Sequence, residues 1–316
     1  VDPPKLFASR FGGPLVGALA GGVVLALFIA VVRSGRSTPP STVAPPDVGA
    51  PILAWCAEGL EPIPGGGCFA APPPAAGSAP LVVYLHRRYA PTGEGTAEEL
   101  ERQARVARLA TARGYAVLAL RGRQGQCTAP EVRDWWCWPS NERVVDAGPE
   151  FVAAFAPALA EAEARIGKGK RFLLGFSNGG YFAALIATRA LLPFDAIAIA
   201  GAGPVEPTEP LANMPPILLV TADSDPSVTS MMLLDDELTR ARWPHAIVTR
   251  DGGHALVDAD VNAALLFFTR APREPFPLSP PLSTRAPQPK LDPIDASAPL
   301  DATGELAPDV AAPPDE

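Results

Sequence analysis

Histidine is scarce in this sequence: His86, His245 and His254 are the only three in 316 residues. Any chemistry that needs an imidazole must draw on them. Cysteine numbers only four, and no two stand in the C-x-x-C spacing that a zinc site would want. A zinc site is therefore not expected, and nothing else in the sequence implies a metal or an organic cofactor. Basic residues are outnumbered, 26 against 34 acids, for a formal net charge of −8, which argues against a nucleic-acid partner. Much of that imbalance is local, because residues 273–316 carry eight acids and three bases. No internal repeat is visible. What is abundant is apolar surface: 47% of residues are hydrophobic, enough for one sizeable core.

The first 36 residues read as a membrane anchor. Phe11 to Val32 is an uncharged run of 22 residues, roughly 33 Å as a helix at 1.5 Å per residue, which spans a hydrocarbon core of about 30 Å. Basic residues flank it on both sides, so they set no orientation. The alternative is a cleaved signal peptide, but the run is long for one and no A-x-A site follows it. Residues 37–50 hold four prolines among Ser and Thr, a semi-stiff linker. From Pro272 to Glu316 there are twelve prolines, one aromatic residue and scattered acids. Such a tail cannot bury enough apolar surface to offset its ordering entropy, so disorder is expected there. The folded domain is expected over 51–271.

The four cysteines fall into two close pairs, Cys56/Cys68 and Cys127/Cys137. An even number, local pairing and a membrane-directed N-terminus together predict two disulfides, and hence a domain outside the cytoplasm. Three connectivities remain open.

Within 51–271, short apolar runs alternate with helical patterns. Strands are predicted at 81–85, 115–120, 171–176, 196–200, 217–221 and 247–249. Helices are predicted at 97–113, 144–166, 181–192, 231–242 and 257–268. This alternation predicts an α/β fold: a doubly wound, mostly parallel sheet flanked by helices on both faces. Sites in such sheets lie at the C-terminal strand ends.

The most informative stretch is Gly175-Phe176-Ser177-Asn178-Gly179-Gly180. It fits G-x-S-x-G directly between a predicted strand and a predicted helix, where a sharp turn needs small neighbours and presents the serine. Serine alone is a poor nucleophile and needs a base. His254, in Asp251-Gly252-Gly253-His254 between the last strand and the last helix, is the candidate; His245 reads as a connector residue. An orienting acid is expected after a strand between the two, and Asp223 and Asp225 in Ala222-Asp223-Ser224-Asp225-Pro226 both qualify. An oxyanion hole would use the backbone N–H of Asn178 and a second one from His86-Arg87-Arg88-Tyr89, with Arg87 as the donor.

On these residues the chain resembles the α/β-hydrolase superfamily. Within it, the chain is similar to secreted esterases of the polyhydroxybutyrate depolymerase-like and feruloyl esterase-like group. The resemblance spans about 80–270. It implies a serine esterase acting through an acyl-enzyme, with Ser177 as nucleophile, His254 as base and Asp225, which precedes a proline, as the acid. The family usually has glycine where Arg87 stands, which puts the acyl-group size in question. Substrate contacts are expected from His86 and from Trp135 and Trp136 in the Cys127–Cys137 loop. A mini-core around the disulfide is the competing reading of those two indoles. The partner is then a small-molecule or polymeric ester, with the membrane as a second partner through the N-terminal helix. A serine peptidase on the same fold, or a silent membrane-anchored binding module, are the rival functions.

Overall fold

The computed structural model describes residues 55–73, 78–141 and 144–271. The expected anchor, the linker and the C-terminal tail lie outside them. Among the described residues no helix is long and apolar enough to cross a membrane.

Eight strands form one sheet: β1 (Glu61–Ile63), β2 (Gly67–Ala70), β3 (Leu81–Leu85), β4 (Ala116–Leu120), β5 (Arg171–Phe176), β6 (Ala196–Ala200), β7 (Ile217–Ala222) and β8 (His245–Arg250). Their spatial order is β1-β2-β4-β3-β5-β6-β7-β8. The six from β3 to β8 run parallel, while β1 and β2 form an antiparallel hairpin on the β4 edge. Strands β3 to β7 are buried along nearly their whole length, as continuous apolar runs such as Leu81-Val82-Val83-Tyr84-Leu85 require.

Among the described residues five α-helices cover the sheet: α1 (Glu94–Thr111), α2 (Gly148–Ile166), α3 (Asn178–Thr188), α4 (Val228–Arg240) and α5 (Asp258–Arg270). Alternate residues of β3 separate two cores. Leu81, Val83 and Leu85 pack with Phe151, Phe155, Phe182 and Met231 from α2, α3 and α4. Val82 and Tyr84 pack with Val106, Val261 and Phe268 from α1 and α5. The sheet is therefore doubly wound, as expected. The order of the parallel strands reverses at β3, so a crevice opens between the C-terminal ends of β3 and β5.

Several element bounds shift by two to four residues from the sequence expectation, so that His245 opens β8 rather than lying in a connector, and two further differences bear on the site and the sheet edge. Helix α3 starts at Asn178, three residues earlier than the apolar periodicity, because the chain turns into the helix at Ser177 itself. The β1–β2 hairpin was not anticipated. Its turn holds Gly65, whose Cα lies so close to α2 that a Cβ would stand 2.5 Å from the Ala158 nitrogen. Both cysteine pairs are bonded, Cys56–Cys68 and Cys127–Cys137, with Cα separations of 5.3 and 5.5 Å.

Candidate active site

Ser177 links β5 to α3 with φ 53° and ψ −120°, a left-handed conformation unfavourable for any residue with a Cβ. Its N–H donates to Ala200 O at 2.8 Å, fixing the turn to the end of β6. The surrounding glycines make the turn possible. A Cβ on Gly179 would lie 2.4 Å from Leu85 O and 2.5 Å from His86 O, and one on Gly180 would lie 2.7 Å from the Ala202 Cβ. The start of α3 thus rests directly on the end of β3.

The serine hydroxyl donates to His254 Nε2 at 2.8 Å. On the other side of the ring, His254 Nδ1–H points between the two Asp225 oxygens, at 2.9 and 3.0 Å. Asp225 is buried, in the turn after β7. Burial works against its charge, but the hydrogen bond and charge of His254 and the bonds from Ser227 prevail and hold its carboxyl below the ordinary aspartate value. The Ser227 N–H and Oγ–H both donate to Asp225 Oδ1, at 2.7 and 2.6 Å. Asp223 points elsewhere: it is exposed and accepts from Gly252 N–H at 2.9 Å and from the Ser224 hydroxyl at 3.1 Å. Geometry therefore separates the two candidate acids.

The histidine loop has an organiser that the sequence reading missed. The Arg250 guanidinium, at the end of β8, donates to the carbonyls of Asp251 (3.0 Å), Gly253 (3.3 Å) and Ala255 (2.6 Å), and to Asp260 Oδ1 at 2.8 Å. It grips the chain on both sides of His254. The imidazole stacks on Phe176, with centroids 5.1 Å apart. The Arg102 guanidinium also lies near this phenyl ring, 5.9 Å from its centroid. Gly201, at φ 54°, leaves the room the imidazole needs, since a Cβ there would lie 3.0 Å from His254 Cε1.

Asn178 is the first residue of α3, so its N–H has no intrahelical acceptor. Its side chain is fully engaged: Oδ1 accepts from Trp138 N–H at 2.8 Å, and Nδ2 donates to Ser140 Oγ. Arg87 turns its guanidinium away to α1, 3.7 Å from Glu98. Beneath this loop, the buried Glu99 carboxylate accepts from Tyr84 Oη at 3.0 Å and from Arg102 at 3.4 Å. Burial pushes its pKa up to about 7, although the nearby Arg102 charge and the Tyr84 hydrogen bond oppose the rise.

His86 is not placed as a substrate contact. It is fully buried; its Nε2 accepts from Gly122 N–H at 2.8 Å and its Nδ1–H donates to Arg87 O at 2.5 Å. Burial holds it neutral, with a pKa lowered to about 3. Its work is to shape the loop that carries Arg87. Trp135 packs on the Cys127–Cys137 bridge with Val132, which is the mini-core reading. Trp136 covers the Arg121 guanidinium. The disulfide loop does border the larger cleft, of about 640 Å³, but through Thr128, Ala129 and Pro130; Ser140, Tyr181 and Val205 line other parts of it.

Among the described residues no cluster of His, Cys, Asp and Glu could hold a metal. No protein-family model and no curated protein matches this chain. Solved structures do. A carboxylesterase from Bacillus cereus is 16% identical and superposes over 65% of this chain and 94% of its own, with a TM-score of 0.50. A carboxylesterase from Mesorhizobium loti is 19% identical over 67% of this chain and all of its own, with a TM-score of 0.49. At such identities the likeness speaks to architecture alone. With the strand order, the reversal at β3 and the serine turn after β5, it gives the chain the α/β-hydrolase fold.

Proposed function

We propose that this protein is a serine hydrolase that cleaves carboxylic esters through an acyl-enzyme. The observation that carries the reading is the unbroken hydrogen-bonded chain Ser177–His254–Asp225, assembled from the ends of β5, β7 and β8. Ser177 Oγ attacks the ester carbonyl carbon as its proton passes to His254 Nε2. The carbonyl oxygen gains charge beside the N–H groups of Asn178 and Arg87. The C–O bond to the alcohol then breaks, and the alcohol leaves with the proton held on Nε2. Water repeats the sequence on the acyl-serine and frees the acid. Asp225 keeps the imidazole in the tautomer that accepts at Nε2 and stabilises its cation. Esters are the substrate class implied by the resemblance in the sequence, and the Bacillus cereus protein of the same fold is a carboxylesterase.

The test is Ser177→Ala, assayed with p-nitrophenyl esters and a fluorophosphonate probe. Labelling should vanish and kcat should fall by about 10⁶-fold, the scale of such triads. A folded variant that hydrolyses esters undiminished would refute the assignment. A silent binding module would leave the wild type unlabelled.

The domain is further proposed to work outside the cytoplasm, tethered by residues 1–36. Two cysteine pairs at bonding distance support an oxidising compartment. Protein isolated with its thiols blocked should contain no alkylated cysteine.

A further inference from the structure

A second, smaller cavity, of about 220 Å³, opens beside the end of β4 and the β1–β2 turn. Arg121, Arg123, Trp136, Phe151 and Phe155 contribute to its wall. The Arg121 guanidinium lies 4.1 Å from the Trp136 ring centroid and 5.0 Å from that of Trp55. Trp55 in turn stacks on Tyr89. Arg123 lies 4.5 Å from the centroid of Phe151 and pairs with the exposed Glu150 at 2.5 Å. No carboxylate among the described residues forms an ion pair with Arg121.

Aromatic rings occupy the faces of the Arg121 guanidinium, and its N–H donors lie in the plane between them, with part of that edge directed at the Tyr89 hydroxyl. Two such groups in one pocket, with a single exposed carboxylate between them, leave an excess of positive charge. That excess stands out in a chain whose net charge is −8. The remaining wall combines the rings of Trp136, Phe151 and Phe155 with glycine backbone. A planar fork of N–H donors matches a carboxylate in bidentate fashion, and phenyl and indole walls match a ring. The size suits a one-ring molecule rather than a polymer.

We infer that this cavity is a binding site for a small aromatic carboxylate, held by Arg121 and Arg123 and separate from the Ser177 centre. It lies behind the loop that carries Arg87. Gly122 is part of its wall and donates to His86 Nε2, and Trp136 exchanges backbone hydrogen bonds with Tyr89 at 3.0 and 3.4 Å. A ligand there would bear on the segment from His86 to Tyr89.

The test uses full-length Ser177→Ala protein, so hydrolysis plays no part and the result stands apart from the proposed activity. Benzoate is titrated against tryptophan fluorescence and by calorimetry, with benzamide as the uncharged counterpart. Benzoate should saturate one site and bind at least about tenfold more tightly than benzamide, the scale of a charge-assisted pair. Arg121→Gln and Arg123→Gln should each weaken it by a similar factor. Glu150→Gln, which frees Arg123 at the surface, should tighten it about two- to threefold, the scale of losing an exposed ion pair. Benzoate that fails to saturate, binds no better than benzamide, or is indifferent to both arginine changes would overturn the proposal. Indifference with saturation would place it elsewhere, such as the Ser177 cleft. Should Arg121→Gln unfold, judged by near-UV circular dichroism, Arg123→Gln and the benzamide comparison decide.

Discussion

At the scale of single residues, the site turns on which groups hold His254. Asp225 contacts its Nδ1 and Asp223 does not. Asp225→Asn should therefore lower kcat by about 10⁴-fold, while Asp223→Asn, whose amide oxygen can still accept from Gly252, should cost about tenfold or less. Equal losses in the p-nitrophenyl ester assay would contradict that division. Arg250 is a positioning residue. Arg250→Lys keeps the charge but gives up the fork that reaches three carbonyls. Its kcat should drop about ten- to a hundredfold with KM nearly unchanged, by analogy with supporting groups around other sites. A merely structural role would lower the melting point and leave kcat per folded molecule intact. Ser177, His254 and the pair of aspartates were legible in the sequence because each follows a strand in a recognisable order. Arg250, Ser227 and Gly201 were not, because what they touch is brought near only by the folded loops.

At the scale of elements, the parallel core was the legible part. Continuous apolar runs such as Ile217 to Val220 specify strands buried on both faces. The β1–β2 hairpin escaped because strands of three and four residues are too short for periodicity to register, and Pro62 disguises one of them. Helix α3 has no tolerance at its first turn. Gly179→Ala would drive a Cβ into two β3-end carbonyls, and should leave the protein insoluble or several kcal/mol less stable, the scale of overpacking in a closed site. Soluble protein with a normal urea midpoint would show that the contact can yield. Helix α1 carries a titrating group instead. Because the Glu99 pKa is raised to about 7, the native state keeps a proton there that the unfolded chain has lost. Its contribution is full below the unfolded value of about 4.5 and fades as pH climbs through 7. Stability should thus decline from this source between about pH 4.5 and 7, and Glu99→Gln should flatten that part of the urea-midpoint profile. An unchanged slope in the variant would assign the decline elsewhere.

At the scale of the whole molecule, covalent and non-covalent restraints divide the sheet. Cys56–Cys68 staples the hairpin edge, and Cys127–Cys137 closes the loop that borders the larger cleft. The serine, aspartate and histidine hang from β5, β7 and β8, which no disulfide restrains and which hydrogen-bonded ladders and packing hold. Each bridge closes a short loop, for which chain entropy gives about 3 kcal/mol. Mild reduction should accordingly raise KM, by freeing Thr128 to Pro130 at the cleft, before it lowers kcat. A rise in KM and a fall in kcat that set in together would mean that the two halves melt together.

The backbone of Ser177 carries a consequence that reaches the whole molecule. A side chain held at φ 53°, ψ −120° costs on the order of 1–3 kcal/mol, and glycine would adopt the same turn almost freely. Ser177→Gly should therefore be inert towards esters and yet unfold at a higher temperature, by a few degrees for a domain of this size. The functional protein is then not the sturdiest sequence for its own fold. Were the proposed ester cleavage no longer useful to a descendant, the first change to disable it could also be one that persists better in heat. The serine would stay in place only for as long as its chemistry was selected.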